Sequence, residues 1–368
     1  MTTAILTIIL FCVMIFPHEL GHFIAAKKCG VKVNEFAFGM GPAIWKKQGK
    51  ETLYSIRLLP IGGFCAMEGE DGEPDEETKA ENEKTYGKYD SERAFVNKKP
   101  WQKLIILAAG SFMNLVCAAV IMSVILGIGG FTTNVIGEIT AGGAADQAGL
   151  LAGDEIVAVD EHEVDSWNDL SEFMPDEDKV FDMTVLRDGE EITVSLDPEI
   201  QYLNTETGEI LTAEQAKDET LPVMERYVVG ITSKISHNPV TAIKGGIQST
   251  WEMLKMMFDT VGMLFSGEAG ADDLSGPVGM VQMVDQTKSL GWWYYGYLTA
   301  LICVNLAVIN MLPLPALDGG RIIFVLFTMI TGKKVNDRVE GTVHAIGIIL
   351  LLALMAYVAF NDITRIFF

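Results

Sequence analysis

The sequence predicts a multi-pass α-helical membrane protein, with four transmembrane helices, a membrane-associated β-sheet and an inserted β domain. Three observations carry that expectation. Apolar residues make up 49% of the 368 and the mean hydropathy is +0.27, too high for an ordinary soluble enzyme. The excess is gathered in four long runs, each about the length that crosses a ~30 Å hydrocarbon core. The formal charge of −22 sits almost wholly in one stretch: residues 131–291 hold 31 acidic and 8 basic side chains, a balance of −23. That acidity argues against nucleic acid as a partner, because phosphate binding needs clustered Lys and Arg.

The first run, residues 3–26, has no basic segment before it; its first lysine is Lys27. A cleavable signal peptide has the opposite charge layout, so the run reads as a retained helix. Inside it lies Pro17-His18-Glu19-Leu20-Gly21-His22. Two histidines four apart are about 1.1 turns from each other on a helix, so both rings point to one side and can share a metal ion. His-Glu-x-x-His is the zinc-hydrolase pattern: two imidazole ligands, and a carboxylate that handles the proton of the attacking water. Its position raises its weight, since a Glu at membrane depth costs on the order of 3 kcal/mol and is retained for a purpose. Pro17 is expected to loosen the backbone just before the motif.

Residues 31–66 alternate short aromatic and apolar stretches with Gly39, Gly41, Pro42, Gly49, Gly62 and Gly63, the texture of strands and tight turns. Residues 67–100 turn acidic and polar and read as a solvated loop. The second run, Leu104 to Ile128, carries Gly110 and Asn114, residue types that serve helix–helix packing in lipid. These pieces form a first region, 1–130.

Residues 131–200 read as a small β domain, with strand-like segments at 135–139, 155–159, 181–185 and 191–196 and a hairpin signal at Asp188-Gly189. The stretch Ala144 to Ile156, with Gly149-Leu150-Leu151-Ala152-Gly153-Asp154, resembles the PDZ signature of a short helix, then Gly-Leu-x-x-Gly-Asp, then a strand. PDZ domains bind extended peptides or C-termini by strand addition; a generic β module serving as a spacer or steric gate is the alternative. Residues 201–290 form an acidic, then amphipathic, juxtamembrane region, where Trp251, Met253, Leu254, Met257, Phe258 and Val261 with Lys244 and Lys255 suggest a helix on the membrane surface or against the bundle.

The last region, 291–368, holds the third run, Trp292 to Leu312, with an aromatic belt at its start, and the fourth, Gly341 to Phe360. Residues 27–103 carry 14 Lys and Arg, and Arg321, Lys333, Lys334 and Arg338 lie between runs three and four. The positive-inside tendency makes both segments cytoplasmic and the acidic β domain extracytoplasmic. None of the five cysteines, Cys12, Cys29, Cys65, Cys117 and Cys303, suggests a disulfide framework or a Cys-x-x-Cys zinc site.

A catalytic zinc site needs a third protein ligand and an open position for water. His162 and His237 fall in the acidic region and His344 heads the last run, whereas Asp318 follows two prolines that interrupt an apolar helix, in Pro313-Leu314-Pro315-Ala316-Leu317-Asp318-Gly319. Composition leaves Asp318 open between a ligand beside a wet cavity and a plain helix cap.

Taken in order, His18-Glu19-Leu20-Gly21-His22, Phe38-Gly39-Met40-Gly41-Pro42, the PDZ-like insertion, Leu274-Ser275-Gly276-Pro277 and Asn310…Pro313-Leu314-Pro315…Leu317-Asp318-Gly319 span nearly the whole chain. In this the chain resembles the site-2 protease family of intramembrane metalloproteases, especially its bacterial four-span members with an external PDZ domain. The resemblance implies a Zn2+ ion held by His18, His22 and Asp318, with Glu19 as general base. It implies that the strands around Gly39, Met40 and Gly41 clamp the substrate, and that Asn305 and Asn310 line its path, where interhelical hydrogen bonding is the alternative. It further implies single-span transmembrane proteins as substrates, among them anti-sigma factors or remnant signal peptides, and residence in the plasma or inner membrane with the active site near the cytoplasmic side. Some bacterial relatives carry two tandem PDZ domains; only one is visible here.

Overall fold

The computed structural model describes residues 2–367 except 71, 176–178, 206, 208, 218–221, 269–275 and 334. Leu274 and Ser275 of the fourth motif therefore lie outside the described residues. The chain divides into two compact units, one made of residues 1–125 and 243–368, the other of 126–242.

In the first unit, α1 (Thr2–Lys28) leads into β1 (Val33–Gln48) and β2 (Leu53–Met67), then α2 (Glu76–Tyr86) and α3 (Pro100–Gly129). Helix α1 continues through Pro17. The acidic stretch expected as a plain loop contains α2, started by the Asp75 side chain, which accepts from the Thr78 amide at 2.9 Å.

Strands β1 and β2 pair with a doubled register: Phe36 faces both Tyr54 and Cys65, Ala37 both Ser55 and Phe64, Phe38 both Ile56 and Gly63. The first half of β1 is thus flanked on both sides by β2. The segment Gly63–Met67 becomes an edge, and among the described residues no further strand pairs with it. Phe36 packs on α1 through Phe16 and Phe23, at 5.8 and 5.0 Å between ring centroids. A buried carboxylate inside the sheet is fully engaged: Glu35, 2% exposed, accepts from Ser55 Oγ at 2.5 Å, Arg57 Nη2 at 2.6 Å and Tyr86 Oη at 2.9 Å. Arg57 also donates from Nη1 to the Gly41 carbonyl at 2.8 Å, so one guanidinium joins the sheet interior to its glycine-rich turn.

The second unit contains β3 (Phe131–Ile139), α4 (Ala144–Gln147), β4 (Glu155–Val159), β5 (His162–Glu163), α5 (Trp167–Phe173), β6 (Phe181–Arg187), β7 (Glu190–Leu196), β8 (Glu199–Asn204), β9 (Ile210–Leu211), β10 (Val223–Val228) and β11 (Ile231–Ser236). Its main sheet runs β11-β3-β4-β6-β7, with β5 on β4. The sheet is completed by β11, beyond the expected limit at residue 200, because β3 pairs antiparallel with it from Ile139↔Ile231 to Phe131↔Ser236. Strands β8, β9 and β10 form a separate small sheet. Alternation builds the core: Phe181, Met183 and Val185 of β6 point inward with Ile136, Leu150, Ile156, Leu170 and Leu196.

Asp154, 2% exposed, closes this unit's Gly-Leu-x-x-Gly-Asp turn. It accepts from Arg187 Nε at 2.7 Å and Nη2 at 2.6 Å and from the Leu151 amide at 2.8 Å. The guanidinium holds its carboxyl below the usual aspartate range. A folded-state pKa depressed in this way contributes stability above the unfolded value of about 3.9, lost as pH falls through the folded value. Asp154→Asn is therefore expected to cost about 2 kcal/mol at pH 7, with the gap to the parent narrowing below about pH 4. Thermal melts of the full chain at the two pH values check this.

The chain then returns to the first unit with α6 (Pro239–Ser266), α7 (Pro277–Leu290), α8 (Trp292–Met311), α9 (Asp318–Thr331) and α10 (Asp337–Phe367). Among the described residues, four helices are long and apolar enough to cross a membrane: Thr3–Lys28, Pro100–Gly129, Trp292–Met311 and Arg338–Arg365. Helix α9 fills part of the segment between the third and fourth apolar runs, and it starts at Asp318 as the helix-cap alternative allows. The start of α7 is capped from α10, where buried Asp362 accepts from the amides of Gly276 and Gly279 at 3.0 and 2.8 Å. Leu10 and Met14 of α1, Ala118 and Met122 of α3, and Ala300, Cys303 and Val304 of α8 form the bundle core.

Candidate metal centre

The histidine pair lies on α1 where that helix touches α3 most closely. A methyl group on Gly110 of α3 would overlap His22 Nε2 and lie 2.7 Å from His18 Cε1. Glycine there lets two imidazoles occupy the space between the helices. Gly110→Ala is expected to cost about 1–3 kcal/mol by overpacking and to weaken metal retention at least about tenfold. Thermal melting and competition with a chelator measure the two effects.

His18 and His22 are 8% and 7% exposed. The third arm comes from nearly 300 residues away. After α8 the backbone leaves helical geometry at Leu312, passes Pro313 and Pro315, and turns at Ala316, whose φ is +75°. The Ala316 amide donates to His344 Nδ1 at 2.9 Å, so α10 braces the turn. Asp318 then begins α9, and the helix-capping position is Leu317. The Asp318 carboxylate faces the histidines, with Oδ2 3.3 Å from His18 Nε2 and 3.4 Å from His22 Nε2. The two Nε2 atoms are 3.1 Å apart.

This triangle fits a metal ion. Ligand bonds of about 2.0–2.1 Å in a tetrahedral zinc site separate the ligand atoms by about 3.3 Å. The His22 Nδ1 proton is donated to the Ile106 carbonyl at 2.8 Å, which leaves the Nε2 lone pair turned to the centre. Asp318 Oδ2 is buried and, among the described residues, has no hydrogen-bond partner. Lone pairs of two imidazoles and a carboxylate at such spacing repel one another without a cation between them.

Glu19 is half-buried beside the pair. Its Cγ lies 3.7 Å from the position a Cβ would take on Gly63, so it stands against the edge segment of β2. Asn310 Nδ2 is 3.3 Å from His18 Nε2. Asn305 sits on the same helix with its Oδ1 buried and without a hydrogen-bond partner among the described residues. Gly39 and Gly41 have φ of +86° and +84°, and a Cβ on Gly39 would approach the Leu59 carbonyl to 2.5 Å, which confines that turn to glycine. Met40 between them is 54% exposed. Of the other histidines, His162 stacks on Phe173 at 4.8 Å and His344 braces the Ala316 turn. Sequence reasoning missed the roles of Gly110, Gly63 and the Ile106 carbonyl at the site. Gly110 was visible only as a small residue in an apolar run.

Such a donor set with a carboxylate beside it, within a bundle of long apolar helices, defines a zinc-dependent peptide hydrolase. The chain belongs to peptidase family M50, the site-2 protease family, whose profile matches residues 6–354. It is 31% identical over 434 aligned positions to the regulator of sigma-W protease RasP of Bacillus subtilis, covering 99% of each chain. It is 30% identical over 436 positions to the zinc metalloprotease RasP of Bacillus licheniformis, covering 100% of each. A protein of Clostridium acetobutylicum provisionally named a zinc metalloprotease is 37% identical over 361 positions, covering 98% of this chain and 96% of that one. The protein is thus a zinc metalloendopeptidase, and its cofactor is Zn2+.

Proposed function

We propose that this metalloprotease hydrolyses peptide bonds within or near the transmembrane segments of single-span membrane proteins. The observation that carries the reading is the placement of His18, Glu19 and His22 inside one of four membrane-length apolar helices, with an aspartate from another helix completing the donor set. In this reading His18, His22 and Asp318 hold the zinc and Glu19 is the general base.

A transmembrane helix hides its carbonyls in hydrogen bonds, so it must be extended before water can attack. The unpaired edge Gly63–Met67 supports this step, since a segment added there would replace its lost helical bonds with strand bonds. Gly39, Met40 and Gly41 shape the neighbouring turn, and Asn305 and Asn310 offer side-chain amides to an exposed backbone. A zinc ion held by His18, His22 and Asp318 would lower the pKa of the attacking water to about 7 and polarise the scissile carbonyl. Glu19, against the edge segment, takes the proton of that water and returns it to the leaving amine.

Residues 131–200, within the unit 126–242, are read as a PDZ domain on the extracytoplasmic side, binding an extended peptide or C-terminus, and the active site as lying near the cytoplasmic face of the cell membrane. The domain limits proposed from sequence are 1–130, 131–200, 201–290 and 291–368, with β11 at Ile231–Ser236 adding to the sheet of the second. Regulated intramembrane proteolysis of anti-sigma factors or of remnant signal peptides is the corresponding role. The test is cleavage of a single-span reporter by the full chain in lipid nanodiscs, with product masses locating the cut. A cut confined to soluble flanking sequence far from the apolar segment would sink the reading.

A further inference from the structure

Beyond the catalytic centre, the end of β2 opens on a second cavity of about 320 Å³, lined by Asn34, Met67, Glu68, Glu70, Lys79 and Tyr89 among others. Its chemistry is unlike that of the apolar bundle. Asn34 is 9% exposed, and among the described residues neither its Oδ1 nor the Tyr89 hydroxyl has a hydrogen-bond partner. Two carboxylates, Glu68 and Glu70, line the cavity beside the ammonium of Lys79, and each is itself ion-paired, Glu68 with Lys32 at 3.1 Å and Glu70 with Arg321 at 2.6 Å. Lys79 is engaged by Glu76 at 3.0 Å and Glu73 at 3.5 Å and lies 5.4 Å over the Tyr89 ring. With these partners counted, the carboxylates of Glu68, Glu70, Glu73 and Glu76 still exceed the cations Lys32, Lys79 and Arg321, and the buried Asn34 Oδ1 is a further acceptor, which suits a guest that brings N–H donors and positive charge.

The cavity is in register with the site. Glu19 stands against Gly63, and the cavity is lined by Ala66 and Met67, three and four residues along the same edge. At about 3.3 Å per residue that is roughly 10–13 Å, and a polypeptide laid on the edge advances residue for residue with it. Glu70 ties the wall to the metal-bearing helix, because its Oε1 accepts from Arg321 Nη1 at 2.6 Å, one turn after Asp318 on α9.

We propose that this cavity is a specificity subsite for a lysine or arginine of the substrate, about four residues from the scissile bond on its cytoplasmic side. The inference rests on the intramembrane reading above. Cytoplasmic flanks of single-span proteins are rich in Lys and Arg, so the subsite selects by the spacing of such a residue from the cut.

The test uses the full zinc-loaded chain in nanodiscs and single-span reporters that carry one lysine two to eight residues on the cytoplasmic side of the cut. With lysine at about the fourth position, kcat/KM is expected to be about tenfold higher than with alanine there, the difference lying in KM. Tyr89→Phe and Asn34→Leu should bring the lysine-to-alanine ratio near one, and Asn34→Lys should turn the preference towards glutamate. Tyr89→Phe removes a single oxygen and keeps the test readable if the Asn34 variants fail to fold. Equal rates at every lysine position, or an unchanged ratio in Tyr89→Phe, would overturn the subsite alone. Failure to cut any membrane-embedded reporter, with an unfolded soluble peptide still cut, would overturn the intramembrane reading and the subsite with it.

Discussion

Glu19→Gln is expected to keep its zinc and lose peptidase activity by at least about a hundredfold, the range that a positioned general base contributes. The two effects separate because Glu19 is not part of the donor triangle, whose atoms come from His18, His22 and Asp318. It lies instead against Gly63 of the β2 edge, where an extended substrate would run. Glutamine keeps the shape and one carbonyl oxygen but cannot accept a proton at neutral pH. Metal content by elemental analysis and cleavage of a reporter decide the matter together. A variant that cuts as fast as the parent removes Glu19 from the mechanism, and one that loses its metal makes it a structural residue.

Asp318→Asn is the second large effect. Its carboxylate oxygen is the one anionic donor at the centre, 3.3 and 3.4 Å from two imidazole nitrogens, and the helix it begins is fixed by the close approach of Gly319 and Gly320 to the preceding turn. Replacing it with a neutral amide of the same size should weaken zinc affinity by about a hundredfold or more while leaving the Ala316–His344 contact in place. Chelator competition followed by metal analysis reads the affinity, and activity should return in excess zinc only in part. Unchanged retention would take Asp318 out of the ligand set.

Much of this organisation is legible in the chain itself. The apolar runs give four helices of membrane length, because a continuous apolar segment has few other ways to satisfy its backbone away from water. The histidine spacing gives a shared face, because a helix repeats every 3.6 residues. Alternation in residues 181–185 gives the buried set Phe181, Met183 and Val185, because a strand repeats every two. These are local periodicities, and they need no partner to be read. The charge run at 76–86 misled for a related reason: a polar segment with no apolar stripe shows no helical period, yet the Asp75 cap and the Tyr86–Glu35 bond hold it as a helix.

What sequence determined, then, is the inventory of membrane-length helices and of metal-binding groups, and where the β unit is inserted. Family resemblance added the expectation that Asp318 joins His18 and His22, a choice that composition left open against a helix cap. Tertiary structure alone decided that these three donors meet, that Gly110 leaves them room, that Glu19 faces a strand edge unpaired among the described residues, and that a polar cavity follows three to four residues along it. Each of these depends on contacts between residues tens to hundreds of positions apart. Such contacts are set by how helices and strands pack, and no period in a linear chain records them.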